Sequence, residues 1–318
     1  MRIVTADDLA SVLTYGALVD ALAEAFRSDI DAPVRHHHTI PQAGADATLL
    51  LMPAWTLARQ AGNDRYVGCK IVTVFPDNAK QGQPSVQGEY LLMSGKTGEP
   101  LALIDGRTLT AWRTAAASAL ASRFLSREDS SHLVMIGAGT LAPHLVRAHA
   151  SVRPLKRVTV WNRTKARAIS MAFGLAVTGI ETEVTDDIEE AVRAADIVSC
   201  ATLSTTPVVK GAWLKKGAHL DLVGGFTPKM READDQAVKR ARVYVDTRAG
   251  ATKEAGDIVV PLRKNVIARS AIKGDLFDLC RGKVKGRTAA SQITLFKSVG
   301  TAIEDLATAM LVWNGLNP

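Results

Sequence analysis

Apolar positions change their spacing along this chain, and each change marks a different kind of element. Leu9, Val12 and Leu13, then Leu18, Ala21, Leu22, Ala25 and Phe26, recur every three or four residues, the period of a helix that buries one face. Thr5 followed by Asp7 and Asp8 predicts a helix start, because a hydroxyl accepts from the first amides and acids suit the positive end. The N-terminal region is therefore expected to be helical. Over 34–104 the spacing gives way to short apolar runs, ATLLLMPAW, YVGCKIVTVF, SVQGEYLLM and PLALID, separated by Gly, Pro and Asn. These predict strands of a largely antiparallel sheet, with KTGE at 96–99 as a hairpin turn.

Residues 108–125 are rich in Ala and poor in breakers, so a long helix should carry the chain out of that sheet. Beyond it the β-branched runs HLVMIG, RVTVWN, DIVSCAT, AHLDLVGG and ARVYVD alternate with helical segments near 139–150, 164–173, 187–195 and 232–240. That rhythm predicts βαβ units and a parallel sheet with helices on both faces. The stretch 291–313 keeps helical spacing through Leu295, Val299, Ile303, Leu306 and Met310. It is expected to form a helix packed back on the first domain.

Composition narrows the class. With 318 residues and 47% apolar content, the chain can bury the cores of two domains. No run approaches the roughly 20 apolar residues that span a bilayer, and the opening MRIVTADDLASVL has acids where a secretory signal needs an apolar stretch. No membrane association and a cytoplasmic location are the expectation. Cys69, Cys200 and Cys280 are odd in number and far apart, which disfavours a disulfide framework or a zinc cage. The net charge of +7 is spread among acids, and the basic stretch 263–287 lacks a reading helix or interleaved aromatics. A field that attracts small anions fits better than nucleic-acid binding.

The strongest local signal is HLVMIGAGTLAPHLVRAHA, where Gly137, Gly139 and Ala142 fill a GxGxxA pattern between an apolar run and a helix. Gly137 permits a tight turn, Gly139 lets backbone approach a pyrophosphate, and Ala142 allows close helix–strand packing. With Ala138, Thr140 and Leu141 between and beside them, these residues predict a dinucleotide-binding turn at a helix N-terminus. The next strand, RVTVW, ends in Asn162, Arg163 and Thr164. An acid there would hold the ribose hydroxyls of NADH; Arg163 instead suits a 2′-phosphate, with Asn162 and Thr164 as further donors. NADPH is the expected cofactor, with NADH possible. The fold class is α/β: a Rossmann nucleotide-binding domain over 126–290 and a discontinuous α+β domain from 1–125 and 291–318.

VGCKIVTVFPDN, PSVQGEYLLM, TGEPLALIDGRTLTAWRTAAASALASRFL and VGGFTPKMREAD together resemble the ornithine cyclodeaminase and mu-crystallin family over almost the whole chain. The resemblance implies that the discontinuous domain binds substrate and dimerises. It also implies that Arg35 and Arg113 hold a substrate carboxylate, that Lys70 is the active-site lysine, and that Ser85 lies near substrate or nicotinamide. Thr202, Asp221, Val223 and Ser291 fall on its cofactor-contact positions. The residue types make sense independently: a guanidinium fork grips a carboxylate, and a lysine in a partly dry cleft can protonate a nitrogen. Lys70 sits in an apolar strand and Arg113 in an Ala-rich helix, where an unpaired charge is costly.

One departure separates family members. Cyclodeaminases carry an Asp after the paired glycine of this motif; here Phe226 follows Gly224 and Gly225, and its side chain cannot move a proton. The resemblance therefore falls on the ketimine reductases, which use NADPH to reduce Δ1-pyrroline-2-carboxylate or Δ1-piperideine-2-carboxylate to L-proline or L-pipecolate. Alternatives are an ornithine cyclodeaminase, an alanine-dehydrogenase-like enzyme, or a non-catalytic NADPH or small-ligand binding protein of mu-crystallin type. His36, His37 and His38 do not predict a metal site, because neighbours on a strand point to opposite faces.

Overall fold

The structure, a computed structural model, describes residues 1–57 and 65–317, and all structural statements concern these. They form two units, Met1–Arg113 with the chain from Thr301 onward, and Thr114–Gly300. The sequence had placed the divisions at 125 and 291.

The first unit opens on β1 (Arg2–Val4), then α1 (Ala6–Val12) and α2 (Tyr15–Arg27). The expected helical region is thus preceded by a strand and broken in two. Thr5 Oγ1 accepts from Asp8 N at 3.2 Å while Asp8 Oδ2 accepts from Thr5 N at 2.8 Å, a reciprocal cap. Thr14 caps α2 by accepting from Ala17 N at 3.3 Å. Next come β2 (Ile30–Asp31), β3 (His36–Ile40), β4 (Ala47–Thr56), β5 (Tyr66–Val74), β6 (Val86–Ser94) and β7 (Pro100–Asp105). The sheet runs β1-β7-β6-β5-β4-β2, with β3 also on β4. Strands β4 to β7 are antiparallel, as the sequence predicts, and β1 joins β7 in parallel. Gly98, at φ +76°, closes the predicted turn between β6 and β7.

Alternation gives the sheet two unlike faces. One cross-strand row is Met52, Lys70, Tyr90 and Ile104, all fully or almost fully buried. The opposite row is Pro53, Cys69, Leu91 and Leu103, half-buried throughout. The chain's last helix, Ala302–Leu316, packs on β4, β5 and β6 and against α2. Leu306, Ala309 and Val312 join Tyr90, Leu92 and Ile104 in one core.

Helix α3 (Gly106–Leu125) leads out of the first unit, with Ala115, Ala116, Ala117, Ala119 and Ala121 buried. The second unit then runs β8 (His132–Ile136), α4 (Leu141–Ala150), β9 (Arg157–Trp161), α5 (Lys165–Leu175), β10 (Glu181–Val184), α6 (Ile188–Ala194) and β11 (Ile197–Cys200). It continues with β12 (His219–Leu222), α7 (Asp235–Arg240), β13 (Arg242–Val245), α8 (Arg248–Glu254), α9 (Gly256–Arg263), β14 (Ile272–Asp275), α10 (Leu276–Cys280) and β15 (Thr294–Lys297), before α11, the last helix of the first unit. Its parallel sheet is ordered β10-β9-β8-β11-β12-β15-β13-β14. Chain direction across the sheet reverses between β8 and β11, the switch point at which α/β folds bind ligands.

Residues 294–297 correct the sequence reading: they form a strand between β12 and β13, not the start of a helix. Leu295 and Val299 mimic a helical pair, but all four strand residues are buried, as expected for a central parallel strand covered on both faces. Strands β10 and β14, which the sequence did not reveal, are the two sheet edges, and their ETEV and IKGD carry little apolar signal.

Candidate active site

Lys70 points from β5 into the first unit's core with 2% exposure. Its Nζ donates to Asp305 Oδ1 at 2.7 Å and to Thr110 Oγ1 at 3.2 Å. Arg113, one turn beyond Thr110 on α3, sends Nε to the same Asp305 oxygen at 2.9 Å and Nη1 to Glu304 Oε2 at 2.7 Å. One carboxylate oxygen thus ties the two predicted cations together. Burial and the nearby Arg113 push Lys70 down to about 8, against the pull of Asp305. Burial would raise Asp305, yet Lys70 and Arg113 hold it below the usual carboxylate range. Arg35, half-buried ahead of β3, adds its positive charge to both effects. Arg35, Lys70 and Arg113 therefore share one electrostatic neighbourhood within the first unit.

Ser85 is not brought to this cluster. It lies past the end of the β5–β6 ladder, which closes at Val74 and Val86, and its hydroxyl donates to Pro76 O at 3.4 Å. Asp305 and Glu304, which the sequence reading missed, are the acids that make the cluster possible. Two adjacent acids inside the apolar stripe of the last helix were the available signal. His36 and His38, on the exposed β3, have ring centroids 6.5 Å apart.

In the second unit Gly137 ends β8 at φ +106°, and a Cβ there would come within 2.6 Å of Ala201 O; the turn requires glycine. No atom lies within 4 Å of the Cβ position at Gly139, so its backbone is open to close approach. Ala142 is fully buried, and no side chain caps α4 at Thr140. Ala142 N donates to Gly139 O at 3.1 Å and Pro143 has no N–H, so the Leu141 amide is the leading one set to meet an anion. Asn162 is drawn into the turn itself: Oδ1 accepts from Ala138 N at 3.2 Å and Nδ2 donates to Thr164 O at 2.9 Å. Arg163 and Thr164 are exposed beside it. Thr202 and Val223 follow β11 and β12 on the same strand-end rim as Gly137.

Two predicted cofactor contacts are placed elsewhere. Asp221 is fully buried inside β12 and accepts from Ser118 Oγ at 2.9 Å, Ser199 Oγ at 2.7 Å and His149 Nε2 at 3.2 Å; it ties α3 and α4 to the sheet. Ser291 lies before β15, where its carbonyl accepts from Gly217 N ahead of β12. In a parallel sheet that is the opposite rim from Gly137. Ser298, immediately after β15, stands on the ligand rim instead, and its hydroxyl donates to Asp246 Oδ2 at 3.3 Å.

A model of the ornithine cyclodeaminase/mu-crystallin family matches residues 2–317. The chain belongs to this family. It is 37% identical over 314 residues to a Δ1-pyrroline-2-carboxylate reductase of Colwellia psychrerythraea, covering 97% of each chain. Among solved structures, the Δ1-pyrroline-2-carboxylate reductase of Thermococcus litoralis in complex with NADH and L-proline superposes with a TM-score of 0.92 at 34% identity, over 100% of this chain and 98% of that one. An archaeal alanine dehydrogenase dimer with bound NAD gives 0.90 at 30% identity, over 100% and 96%. The family member thus shares its fold with proteins that work on nicotinamide dinucleotides.

Proposed function

We propose that this protein reduces a cyclic ketimine carboxylate, Δ1-pyrroline-2-carboxylate or Δ1-piperideine-2-carboxylate, to L-proline or L-pipecolate. It is an NAD(P)H-dependent oxidoreductase acting on C=N bonds. The observation that carries the reading is the sharing of Asp305 Oδ1 by Lys70 and Arg113, which sets an ammonium group and a guanidinium side by side in a dry site. Such a pair suits a small ring that bears a basic nitrogen next to a carboxylate.

NAD(P)H, when bound, supplies the hydride to the imine carbon. The chain supplies position and charge. Arg35 and Arg113 hold the carboxylate, Arg113 while its Nε and Nη1 engage Asp305 and Glu304. Lys70, lowered to about 8, is still an ammonium at neutral pH and gives the ring nitrogen a proton, which makes the C=N a better hydride acceptor. Gly137 to Leu141 hold the pyrophosphate, and exposed Arg163, with no acid at the end of β9, favours the 2′-phosphate of NADPH. The relatives named for pyrroline reduction support this reading over deamination, as does Phe226 at the position of the cyclodeaminase Asp.

A second copy of the chain is proposed to cover the half-buried face of Pro53, Cys69, Leu91 and Leu103, making a homodimer; a monomeric mass in light scattering would refute it. Cys69, Cys200 and Cys280, none of them in a disulfide, suit a cytoplasmic setting. The functional test is turnover of both imines with NADPH and NADH. The expected result is oxidation of NADPH with at least one imine and without ammonium. Replacing Arg163 with Ala should lower the NADPH-over-NADH ratio about tenfold. Absence of turnover with both imines across neutral and mildly acidic pH refutes the assignment.

A further inference from the structure

A second buried charge cluster lies in the other unit, at the strand ends opposite the Gly137 turn across the switch point. Glu232, in the loop before α7, is fully buried. Its Oε1 accepts from Thr202 N at 2.6 Å and Thr202 Oγ1 at 2.9 Å, and its Oε2 from Gly224 N at 2.8 Å and Gly225 N at 3.3 Å. One side chain thus satisfies the loop after β11 with one oxygen and the loop after β12 with the other. Space is tight: a Cβ at Gly224 would lie 2.0 Å from Thr202 O and 2.7 Å from Glu232 Oε1. Beneath it, fully buried Lys297 reaches Asp257 Oδ2 at 3.2 Å and Glu232 Oε2 at 3.8 Å. Asp257 Oδ1 in turn accepts from the amides of Glu232 and Ala233 at 2.8 and 3.0 Å.

We infer that Glu232 is a positioning residue for the nicotinamide half of the dinucleotide site, clamping together the two loops that this half must contact. In a doubly wound sheet the pyrophosphate meets the first βα turn, and the rest of the dinucleotide lies across the switch point. Here that region is the rim formed by Thr202 and by Gly224, Gly225 and Phe226. The sequence offered Thr202 and Val223 as contacts but not the acid that fixes their backbone. Four donors converge on a single carboxylate, so neutralising it or replacing it with an amide leaves donors without acceptors in a dry site. The inference rests on the proposed dinucleotide binding, and it concerns which half of that ligand depends on Glu232.

The experiment compares calorimetric binding of NADPH with that of 2′-phospho-ADP-ribose, which lacks the nicotinamide ring. In Glu232→Gln, affinity for NADPH should fall about tenfold while affinity for the fragment stays at the wild-type value. Asp257→Asn, which hydrogen-bonds to neither loop and holds Glu232 through its amide and through Lys297, should show the same signature at smaller size, and it carries the test if Glu232→Gln does not fold. Burial raises Glu232 to about 7, with Lys297 on β15 opposing and Asp257 on α9 adding to the rise; the Cys200 thiol on β11 also feels its charge. NADPH affinity should therefore weaken as pH falls through about 7 by more than that of the fragment, whose 2′-phosphate also gains a proton in acid, and the difference should vanish in Glu232→Gln. Equal weakening of NADPH and fragment, or no weakening of either, overturns the inference. Wild-type protein that binds neither ligand overturns the dinucleotide reading, and this inference with it.

Discussion

The Lys70 cluster of the first unit and the Lys297 cluster of the second balance their buried charges differently. In the first, two cations, Lys70 and Arg113, meet two acids, Glu304 and Asp305. In the second, one cation, Lys297, lies beneath two acids, Glu232 and Asp257. The excess acid is answered by backbone amides, those of Thr202, Gly224 and Gly225 on Glu232 and those of Glu232 and Ala233 on Asp257. A balanced cluster of side chains can keep a titratable ammonium near neutrality and present it to chemistry. An acid-rich cluster answered by main chain fixes loops. On the roles proposed for them, the same residue types serve reaction in one place and geometry in the other.

Breaking the balance of the first cluster should have the largest effect. Arg113→Leu leaves Glu304 and Asp305 buried with one cation between them, and should cost about 3–5 kcal/mol of stability, seen as a drop in the denaturation midpoint. Lys70→Met removes the proton source but leaves Arg113 to answer the acids. It should lower kcat about a hundredfold to ten-thousandfold with NADPH affinity retained, and a turnover near wild type would sink the role given to Lys70. In the intact protein the sign of the pH effect is set by that lysine: the ammonium is present below about 8, so the rate should fall as pH rises beyond it. That limb should vanish in Lys70→Met. The smallest effects come from crowding the second cluster. At Gly224 a Cβ meets Thr202 backbone at 2.0 Å, whereas at Gly225 the nearest atoms, Asp257 Oδ2, Lys297 Nζ and Met230 Cβ, are all 3.3 Å away. Gly224→Ala should destabilise by about 1–3 kcal/mol, and Gly225→Ala by less, on the same denaturation measure.

What could be read from sequence was what is written locally. The Gly137 turn was legible because strand, glycine, small residue and helix follow one another within a few positions, and the KTGE turn for the same reason. The strands β4 to β7 announced themselves by alternation. Asp305 stayed hidden because its partners, Lys70 and Arg113, lie 235 and 192 residues away, and no local spacing shows which acid will answer which cation. Strand β15 was missed because its buried residues run into the apolar stripe of the helix that follows. Ser291 was placed by likeness alone, and the register of β15 against β12 puts it before the strand, at the rim opposite Gly137. Asp221 looked like a rim residue until its three side-chain donors showed it to be internal.

The insertion of β15 between β12 and β13 governs the order in which this molecule can assemble during synthesis. Until residues 294–297 emerge from the ribosome, β12 and β13 have no common neighbour, and each offers an unpaired edge on which another chain could add. The same final stretch then delivers Glu304 and Asp305 to a strand and a helix translated long before. Closing such distant pairings is slow, so each unit's core stays incomplete until that stretch of chain has been made.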